Sequence, residues 1–438
     1  MKKISARAAA HQALMRIETQ GAYSDIVLSH LLDGSSLDER DRAFAGELVR
    51  GVVRWQKYLD WIIGRLFKGD LRKMPVDVRL LLRQAFYQII FLKTPGFAAV
   101  NECIGLLKER RQFAWSGVAN GILRTYLRAP AAVSLPAEAS TVEHLAVKTS
   151  HPEWLVARWV DQFGAEQTAA LCAANNVTPP LSLRVNSRKL SLADFCGLLE
   201  KSAIAFERSP VNGFIRVSSM NGQVRQWLNR GLVTVQDESA GLVGLLCASA
   251  EGRVLVDLCA APGGKSTHLA ELAPSSVVLS SDVRPRRVNL IVAAKKRLGL
   301  SNLQPLVADA AFFPAKSADL VLLDAPCSGL GVLRRKPEIR WKRQERDIEE
   351  LAQLQRRLIR RAGELVAVGG FLIYSTCTTE REENEAVIDS LLADTTFEVI
   401  PPDERIPSAL VTAAGMIRTF PHLHGMDGAF AVKLKKKS

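Results

Sequence analysis

The sequence lacks any apolar run approaching the ~18 residues that a membrane-spanning helix needs. Near the start, Arg7 and His11 interrupt the apolar stretch that a signal peptide requires. Charged residues reach only 24% and hydrophobic ones 47%, proportions that exclude a disordered or coiled-coil chain as a whole. We therefore expect a globular protein of the cytoplasm with no membrane attachment.

Paired cysteines are also missing. Their number is odd and no two of them form a CxxC pair, so neither a disulfide framework nor a zinc site is expected, and we predict no metal. Reduced thiols are the default for such a chain inside the cell. The seven cysteines are Cys103, Cys172, Cys196, Cys247, Cys259, Cys327 and Cys377.

Acidic residues are in the minority, with 45 Asp and Glu against 58 Lys and Arg, which leaves a net charge of +13. An excess of this size indicates a polyanionic partner such as a nucleic acid. Residues 1–140 hold 21 of the basic and 13 of the acidic residues, a balance of +8. This first part of the chain is thus the more basic per residue, as phosphate contacts require.

A length of 438 residues favours about three domains at roughly 150 residues each. Residues 1–140 are predicted to be all-α, because apolar residues recur at three-to-four spacing, and to end in a Pro- and Ala-rich linker, Ala129–Ser140. Residues 141–235 are predicted to form a small α/β domain with strands Leu181–Val185 and Phe214–Val217.

Residues 236–438 alternate short apolar strands with longer helical patterns, which predicts a doubly wound, Rossmann-like parallel sheet covered on both faces. The predicted strands are Val254–Leu258, Val277–Ser281, Leu303–Val307, Leu320–Asp324 and Phe371–Thr376. The predicted helices between them are Lys265–Leu272, Arg286–Leu298 and Gln344–Val366.

A turn of small residues follows the first of these strands and leads into a helix. Small residues allow a ligand to approach the backbone, and the helix start offers free N–H groups. The spacing is neither GxGxxG nor GxxxxGK[ST], which weakens dinucleotide and P-loop interpretations. The turn consists of Cys259, Ala260, Ala261, Pro262, Gly263, Gly264 and Lys265.

Carboxylates end three successive strands. Asp282 lies 25 residues after Asp257, where an acid typically accepts hydrogen bonds from ribose hydroxyls, and Asp309 ends the third strand. The set predicts a nucleoside pocket without a pyrophosphate site. The alternative is a tight strand-to-helix turn with solvated acids.

Two cysteines follow the ends of two further strands, Cys327 in Asp324-Ala325-Pro326-Cys327 and Cys377 in Thr376-Cys377. Ligands bind at this edge in open α/β sheets, so both thiols and Asp324 are predicted to converge beside the nucleoside pocket. A thiolate that adds to carbon 6 of a pyrimidine makes carbon 5 nucleophilic enough to accept a methyl group. Asp324 is a candidate proton donor to the ring nitrogen, a role that needs a raised carboxyl pKa.

These motifs closely resemble the Nol1/Nop2/Sun family of S-adenosylmethionine-dependent RNA cytosine carbon-5 methyltransferases. The resemblance implies that Cys377 is the nucleophile and that Cys327 assists release of the methylated product. It also implies that the turn Cys259–Lys265 together with Asp282, Asp309 and Asp324 surrounds the methyl donor. DNA cytosine methyltransferases instead use the cysteine of the Pro-Cys motif as nucleophile.

The first domain resembles the NusB-like RNA-binding domains, through Asp41–Arg54, Pro95–Glu102 and Val118–Arg124. A NusB-like domain, a small α/β domain and a methyltransferase domain in this order are similar to the bacterial Sun (Fmu) branch of the family. The branch implies a cytosine of 16S ribosomal RNA as target, within naked RNA or an early assembly intermediate. We expect no DNA or membrane partner, and a monomer.

A basic segment follows the Cys327 loop and carries one tryptophan, which predicts a flexible flap that holds phosphates and stacks a base. A solvated charged face is the alternative. The residues are Arg334, Arg335, Lys336, Arg340, Trp341, Lys342 and Arg343.

Two rival functions remain at this stage. One is the same chemistry on transfer RNA, and the other is a non-catalytic RNA-binding ribosome assembly factor with a vestigial methyltransferase domain. The intact Gly263, Asp324, Cys327 and Cys377 argue against a vestigial site. An Asn-Pro-Pro-Tyr motif for amino-group methylation is absent.

Overall fold

The computed structural model describes residues 4–32, 37–137, 141–248, 253–393 and 396–437. The chain divides into two compact units: a helical unit, Met1–Val177 with Leu333–Arg343, and a sheet unit, Thr178–Val332 with Gln344–Ser438. The last residues of the predicted linker, 138–140, lie outside the described residues. No helix in the described ranges is both long and apolar enough to cross a bilayer.

The α-helices are α1 (Ala6–Gln20), α2 (Ser24–Leu32), α3 (Glu39–Arg54), α4 (Gln56–Leu66), α5 (Val76–Ile90), α6 (Gly96–Glu109), α7 (Phe113–Arg128), α8 (Thr141–Lys148), α9 (Glu153–Ala174), α10 (Leu192–Lys201), α11 (Gly222–Asn229), α12 (Glu238–Ala248), α13 (Gly264–Leu272), α14 (Pro285–Leu298), α15 (Ile339–Lys342), α16 (Glu345–Leu365), α17 (Glu385–Leu392) and α18 (Pro421–His424). The strands are β1 (Leu181–Val185), β2 (Phe206–Arg208), β3 (Phe214–Val217), β4 (Val233–Val235), β5 (Val254–Asp257), β6 (Val277–Asp282), β7 (Leu303–Val307), β8 (Ala318–Asp324), β9 (Val366–Thr376), β10 (Phe397–Val399), β11 (Ile417–Thr419) and β12 (Ala429–Lys436).

The helical unit is built from amphipathic helices, as the apolar spacing predicts. Helix α3 shows how the sequence determines where such a helix begins and which of its faces is buried. Asp38 caps its start by accepting a 2.8 Å hydrogen bond from the Asp41 N–H, which satisfies an otherwise free donor. Its apolar residues Leu48, Val49 and Val52 are buried in the core of the unit. The all-α character expected for the first domain is confirmed.

Helices α8 and α9 also belong to the helical unit, whereas the sequence analysis placed residues 141–177 with the small α/β domain. Ser150 shows why, since its hydroxyl accepts a 3.0 Å hydrogen bond from the N–H of Lys57 at the start of α4. Within α9, Gly164 takes φ +78° and ψ 164°, a non-helical conformation that separates two helical parts. This break agrees with the sequence pattern, which predicts one helix around Glu153–Phe163 and another near Gln167–Ala174.

The small sheet of the sheet unit has the order β2-β3-β1-β4 and is antiparallel throughout. Strands β1 and β3 have the predicted bounds, while the three-residue strands β2 and β4 were not predicted. Helices α10 and α11 cover the sheet through buried Phe195 and Trp227, which meet edge to face.

The large sheet has the order β10-β12-β9-β8-β5-β6-β7, and β11 pairs with β12. Strands β5 to β9 are parallel to one another, as predicted. Strands β10, β11 and β12, which are not among the predicted strands, pair antiparallel. Strand β12 follows β10 and β11 in the sequence and pairs with β9. The connection between β11 and β12 contains only the short helix α18, and antiparallel neighbours can be joined by such a short connection.

Candidate active site

The carboxyl ends of β9, β8, β5 and β6 lie side by side at one edge of the large sheet. Strands β8 and β9 are direct neighbours, with Asp324 opposite Ser375 in the register. This adjacency, predicted from the sequence, brings the loops that follow the two strands together. The candidate active site lies at this edge.

The two predicted cysteines meet. Cys327 Sγ lies 3.3 Å from Cys377 Sγ, and the N–H of Cys377 lies 3.4 Å from Cys327 Sγ. Both side chains are half-buried. The hydrogen bond to Cys377, burial and a negative charge on Cys377 raise the pKa of Cys327 well above its ordinary value. The two thiols are therefore close enough to share a hydrogen bond, in which either sulfur can be the donor.

Lys265 and Asp324 form an ion pair beside the cysteines, with 2.7 Å between Nζ and Oδ2. Burial alone would lower the pKa of Lys265, but Asp324 outweighs it and a negative charge on Cys377 adds to the effect, so the pKa is raised. The Lys265 ammonium consequently favours a thiolate on Cys377.

Asp324 accepts hydrogen bonds at both oxygens. Its Oδ1 takes a 2.8 Å hydrogen bond from the Ser375 hydroxyl, while its Oδ2 faces Lys265. The sequence predicts that Asp324 donates a proton to the ring nitrogen, and that role stays a prediction.

The turn between β5 and α13 places its backbone at the sheet edge. Gly263 takes φ +102°, a conformation that favours glycine, and its N–H donates a 2.7 Å hydrogen bond to the carbonyl of Ala260. Ala260 and Ala261 are buried, Gly264 is half-buried and Pro262 is exposed. Burial raises the pKa of Cys259 to about 12, so this third thiol at the edge stays protonated.

Asp257 at the end of β5 is fully buried. It accepts a 2.6 Å hydrogen bond from the Ser266 hydroxyl in the first turn of α13. Burial nevertheless raises the pKa of Asp257 to about 7, with the negative charge of Asp324 acting in the same direction.

The other two predicted acids differ in setting. Asp282 is buried, and its Oδ2 lies 2.9 Å from Nη1 of Arg287, which also donates a 2.6 Å hydrogen bond to the carbonyl of Ala261. Arg287 thus ties Asp282 to the turn after β5. Asp309 is exposed, and its Oδ1 accepts a 2.9 Å hydrogen bond from the Ala311 N–H.

A close backbone contact supports the cysteine loops. The N–H of Gly331 donates to the carbonyl of Cys377 at 3.0 Å, and the N–H of Gly428 donates to the carbonyl of Gly331 at 2.8 Å. A Cβ atom on Gly331 would lie 2.0 Å from the Gly428 oxygen, a distance that no side chain permits. Only glycine fits at position 331.

The basic segment expected to be a flexible flap is instead packed into the helical unit. Arg340 has no exposed surface. Its guanidinium donates to the carbonyls of Ser150 at 3.0 Å and Asn175 at 3.3 Å, and to Oδ1 of Asn176 at 2.9 Å. The guanidinium that was predicted to bind phosphate therefore donates its hydrogen bonds to buried protein acceptors instead.

Neighbouring side chains of the segment are held in the same way. The Trp341 indole N–H donates a 2.7 Å hydrogen bond to the carbonyl of Val53. Glu338 accepts from the Ser24 N–H at 2.9 Å and from the Ser24 hydroxyl at 3.0 Å. Lys342 donates to two backbone carbonyls between α1 and α2. The flap expectation is therefore wrong for Arg340, Trp341 and Lys342.

Arg334 is buried too, and its carbonyl accepts a 3.1 Å hydrogen bond from Arg54, so it is no phosphate-binding candidate either. Arg335 and Arg343 are half-buried and Lys336 is exposed. For these three, an RNA contact stays a prediction.

Three parts of the chain match known families. Residues 4–128 match the NusB family, residues 151–219 the RsmF/B-like ferredoxin-like domain, and residues 245–435 the family described as 16S rRNA methyltransferase RsmB/F. The chain is 34% identical to the probable ribosomal RNA small subunit methyltransferase B of Bacillus subtilis, over all of both chains. It is 35% identical to the ribosomal RNA small subunit methyltransferase B of Sodalis glossinidius, over 99% of this chain and 98% of the relative.

The chain belongs to the RsmB/F family of 16S rRNA methyltransferases. The crystal structure of PH0851 is similar at a TM-score of 0.82, with 26% identity over 99% of this chain and 100% of the other. The resemblance to the Sun family, the NusB-like domain and the Rossmann-like fold class are thereby confirmed.

The methyl donor of the RsmB/F family is S-adenosylmethionine. The residues at the sheet edge fit this group by their chemistry. The backbone at Gly263 is free of a side chain, and the Asp282 carboxylate stands at the end of β6, the position at which acids accept from ribose hydroxyls. Among the described residues, no cluster of His, Cys, Asp and Glu is arranged to hold a metal ion.

Sequence reasoning missed Glu383 and Asn384, two fully buried residues that hydrogen-bond to the cysteine loops of the candidate site. Four glutamates fall within the six residues 380–385, and no spacing distinguishes the buried Glu383 from its neighbours. The sequence analysis also gave Arg184 no role beyond its place in the strand Leu181–Val185. It donates to both oxygens of the Glu271 carboxylate and to the carbonyl of Gly264 at 2.8 Å.

Proposed function

We propose that the protein methylates carbon 5 of a cytosine in 16S ribosomal RNA through a covalent bond between Cys377 and carbon 6. The observation that carries the proposal is the 3.3 Å approach of the Cys327 and Cys377 sulfurs next to the Lys265–Asp324 ion pair. A methyltransferase that acted on an amino group or a ribose hydroxyl would have no use for two adjoining thiols at this edge.

The cycle begins with the Cys377 thiolate, which adds to carbon 6 of the cytosine. The addition moves electron density onto the ring nitrogen and makes carbon 5 nucleophilic. Lys265 is the charged donor at this site, so we assign it, rather than Asp324, the stabilisation of the ring nitrogen, with Asp324 holding the ammonium in place. Bound S-adenosylmethionine supplies the methyl group that carbon 5 accepts.

Release reverses the addition. Carbon 5 loses its proton to water, the bond between Cys377 Sγ and carbon 6 breaks, and the electron pair returns to the sulfur as a thiolate. Cys327 assists because its protonated thiol donates a hydrogen bond to the departing sulfur. The raised pKa of Cys327, caused first by its hydrogen bond to Cys377, keeps that proton in place.

The basic helical unit is assigned to docking the RNA, and the small antiparallel sheet to presenting the target nucleotide to the large sheet. The 21 basic against 13 acidic residues within 1–140 support the first assignment. Carbon 5 is inaccessible inside a stacked helix, so the cytosine must lie in a loop or be flipped out.

Three variants test the chemistry on 16S rRNA with a methyl-labelled donor. Cys377→Ala is expected to lose turnover while still binding donor and RNA. Cys327→Ala is expected to accumulate a protein–RNA adduct, seen as a shifted band on a denaturing gel. Cys196→Ala, at a buried cysteine of helix α10, is the matched control and should behave as wild type.

Normal methylation by Cys377→Ala would contradict the proposal. Methylation by Cys327→Ala without any adduct would remove its release role. Bisulfite sequencing of ribosomal and transfer RNA, with and without the gene, identifies the modified cytosine and decides between the two RNA substrates.

A further inference from the structure

Two consecutive buried residues connect the two cysteine loops. Glu383 and Asn384 follow Cys377 by six and seven residues, between β9 and α17, and neither has exposed surface. Glu383 ends a 3₁₀ turn, and Asn384 has φ −115° and ψ −99°, which separates that turn from α17. No step of the chemistry above uses either residue.

Asn384 holds the loop of Cys377 on both sides. Its Oδ1 accepts a 2.5 Å hydrogen bond from the Thr376 hydroxyl, and its Nδ2 donates a 3.1 Å hydrogen bond to the carbonyl of Thr378. Thr376 and Thr378 are the immediate neighbours of Cys377. The backbone around the nucleophile is therefore fixed by one side chain.

Glu383 holds the loop of Cys327 in the same manner. Its Oε1 accepts a 2.8 Å hydrogen bond from the N–H of Ser328 and a 2.9 Å hydrogen bond from Nε2 of Gln355. Gln355 Nε2 also lies 2.9 Å from the carbonyl of Pro326. The residues before and after Cys327 are thus bound to one buried carboxylate and its amide partner.

The two anchors are joined to each other and to the sheet. The Ser328 and Thr378 hydroxyls lie 2.8 Å apart, which links the two loops directly. The Tyr374 hydroxyl donates a 2.6 Å hydrogen bond to the carbonyl of Glu383 and so fixes the turn against β9. A displacement of the Glu383–Asn384 pair would therefore move both cysteines.

Burying a carboxylate is unfavourable, and burial raises the pKa of Glu383. A neutral side chain of the same shape would accept the same hydrogen bonds without that penalty. The charge of Glu383 has a separate effect, because it adds to the hydrogen bond between the two thiols and to burial in raising the pKa of Cys327.

We propose that Glu383 and Asn384 are positioning residues that hold Cys327 and Cys377 in register, Asn384 serving the addition step and Glu383 the release step. The inference rests on the proposed two-cysteine mechanism. It gives the adjacent pair one role each, on the two sides of the catalytic cycle.

Glu383→Gln tests the release half with the full-length protein and 16S rRNA. The variant keeps an acceptor for Ser328 and removes the charge. We expect the adduct to form at the wild-type rate and, at a pH above the lowered pKa of Cys327, to decay about 10-fold more slowly, because less of the Cys327 thiol is then protonated. Release requires protonated Cys327, so it declines as the pH rises through the pKa of Cys327. Without the Glu383 charge this decline is expected at a lower pH.

Asn384→Leu tests the addition half in a Cys327→Ala background, where the adduct is trapped. Loss of both hydrogen bonds is expected to slow adduct formation about 10-fold while donor binding is retained. Leu391→Ala, a buried change in α17 whose side chain is a core leucine, is the matched control for lost stability. It should lower the unfolding midpoint and leave the ratio of adduct formation to release unchanged.

If Glu383→Gln and Asn384→Leu change activity only in proportion to the folded fraction, as Leu391→Ala does, the positioning role is overturned and the two-cysteine mechanism stands. If Cys377→Ala still forms the adduct, the mechanism itself fails. An unchanged pH profile in Glu383→Gln would overturn the part assigned to the charge.

Discussion

The cysteine loops and the segment Leu333–Arg343 both contain buried polar groups, but these groups have different roles in the two regions. In the loops the buried groups, Glu383 and Asn384, are supports, and the groups they support, Cys327 and Cys377, stay half-exposed. In the segment, the residue that was predicted to bind phosphate, Arg340, is itself buried, and its guanidinium donates hydrogen bonds to other protein groups. A reactive residue type indicates function only where its reactive atoms remain accessible.

Burial perturbs both charged groups, but the two groups titrate in different pH ranges. It lowers the pKa of Arg340 to about 9, although four acceptors face the guanidinium. It raises the pKa of Asp257 at the sheet edge to about 7. Arg340 keeps its charge below its pKa, so at acidic and neutral pH we expect the free energy of unfolding to depend on pH through Asp257 and on hydrogen bonding through Arg340.

The largest expected effect is the pH dependence from Asp257. Its pKa is raised from 3.8 to about 7, so the folded protein holds the proton more tightly than the unfolded chain. The contribution of Asp257 to the unfolding free energy is then highest below about pH 4 and falls by up to ~1.4 kcal/mol per pH unit until about pH 7, about 4 kcal/mol in all. Urea denaturation between pH 4 and 7.5 measures this slope.

Asp257→Asn is the control, since it keeps an acceptor for Ser266 and removes the titration. The difference between the two curves isolates the carboxyl from every other group. Parallel curves for wild type and variant would show that burial does not raise the pKa of Asp257, and the comparison would fail.

Next in size is Arg340→Ala. It leaves buried carbonyls of Ser150 and Asn175 without their donor and creates a cavity, so the unfolding free energy should fall by about 3 kcal/mol. Lys336→Ala, at an exposed position of the same segment, should change it by less than about 0.5 kcal/mol. Chemical denaturation measures both. Unchanged stability of Arg340→Ala with a loss of 16S rRNA affinity would restore the phosphate-binding interpretation.

The smallest effect is expected from Trp341→Phe. The change keeps an aromatic ring and removes the indole N–H that Val53 accepts, so about 1 kcal/mol of stability should be lost. RNA affinity, measured by filter binding, should stay at the wild-type value. A weaker RNA complex with undiminished stability would instead indicate that the indole contacts the RNA.

Much of the arrangement at the sheet edge could be predicted, because the end of a strand is visible in the sequence as a short apolar run followed by small or polar residues. This pattern correctly predicted that Asp257, Asp282 and Asp324 lie at strand ends. The single helix between two successive strands predicted that these strands are neighbours and that Cys327 and Cys377 lie close together. The three-residue strands β2, β4, β10 and β11 were missed because so short a segment has no measurable alternation.

The remaining errors concern contacts far apart in the sequence. Arg340 is buried because Ser150 and Asn175, more than 160 residues earlier, offer carbonyl oxygens, and a local charge count cannot register such partners. Glu383 resembles the glutamates around it, and only the folded chain shows that its carboxylate meets Ser328. Burial of polar groups is a tertiary property, which local patterns do not encode.

The glycine contact at position 331 has a consequence for the order of events during synthesis. The backbone that frames both cysteines is completed by Gly428, which emerges from the ribosome after either cysteine. A nascent chain long enough to contain Cys327, Cys377 and the turn around Gly263 still lacks the strand that closes the contact. The paired thiols thus acquire their final setting late, once β12 has been added to the sheet.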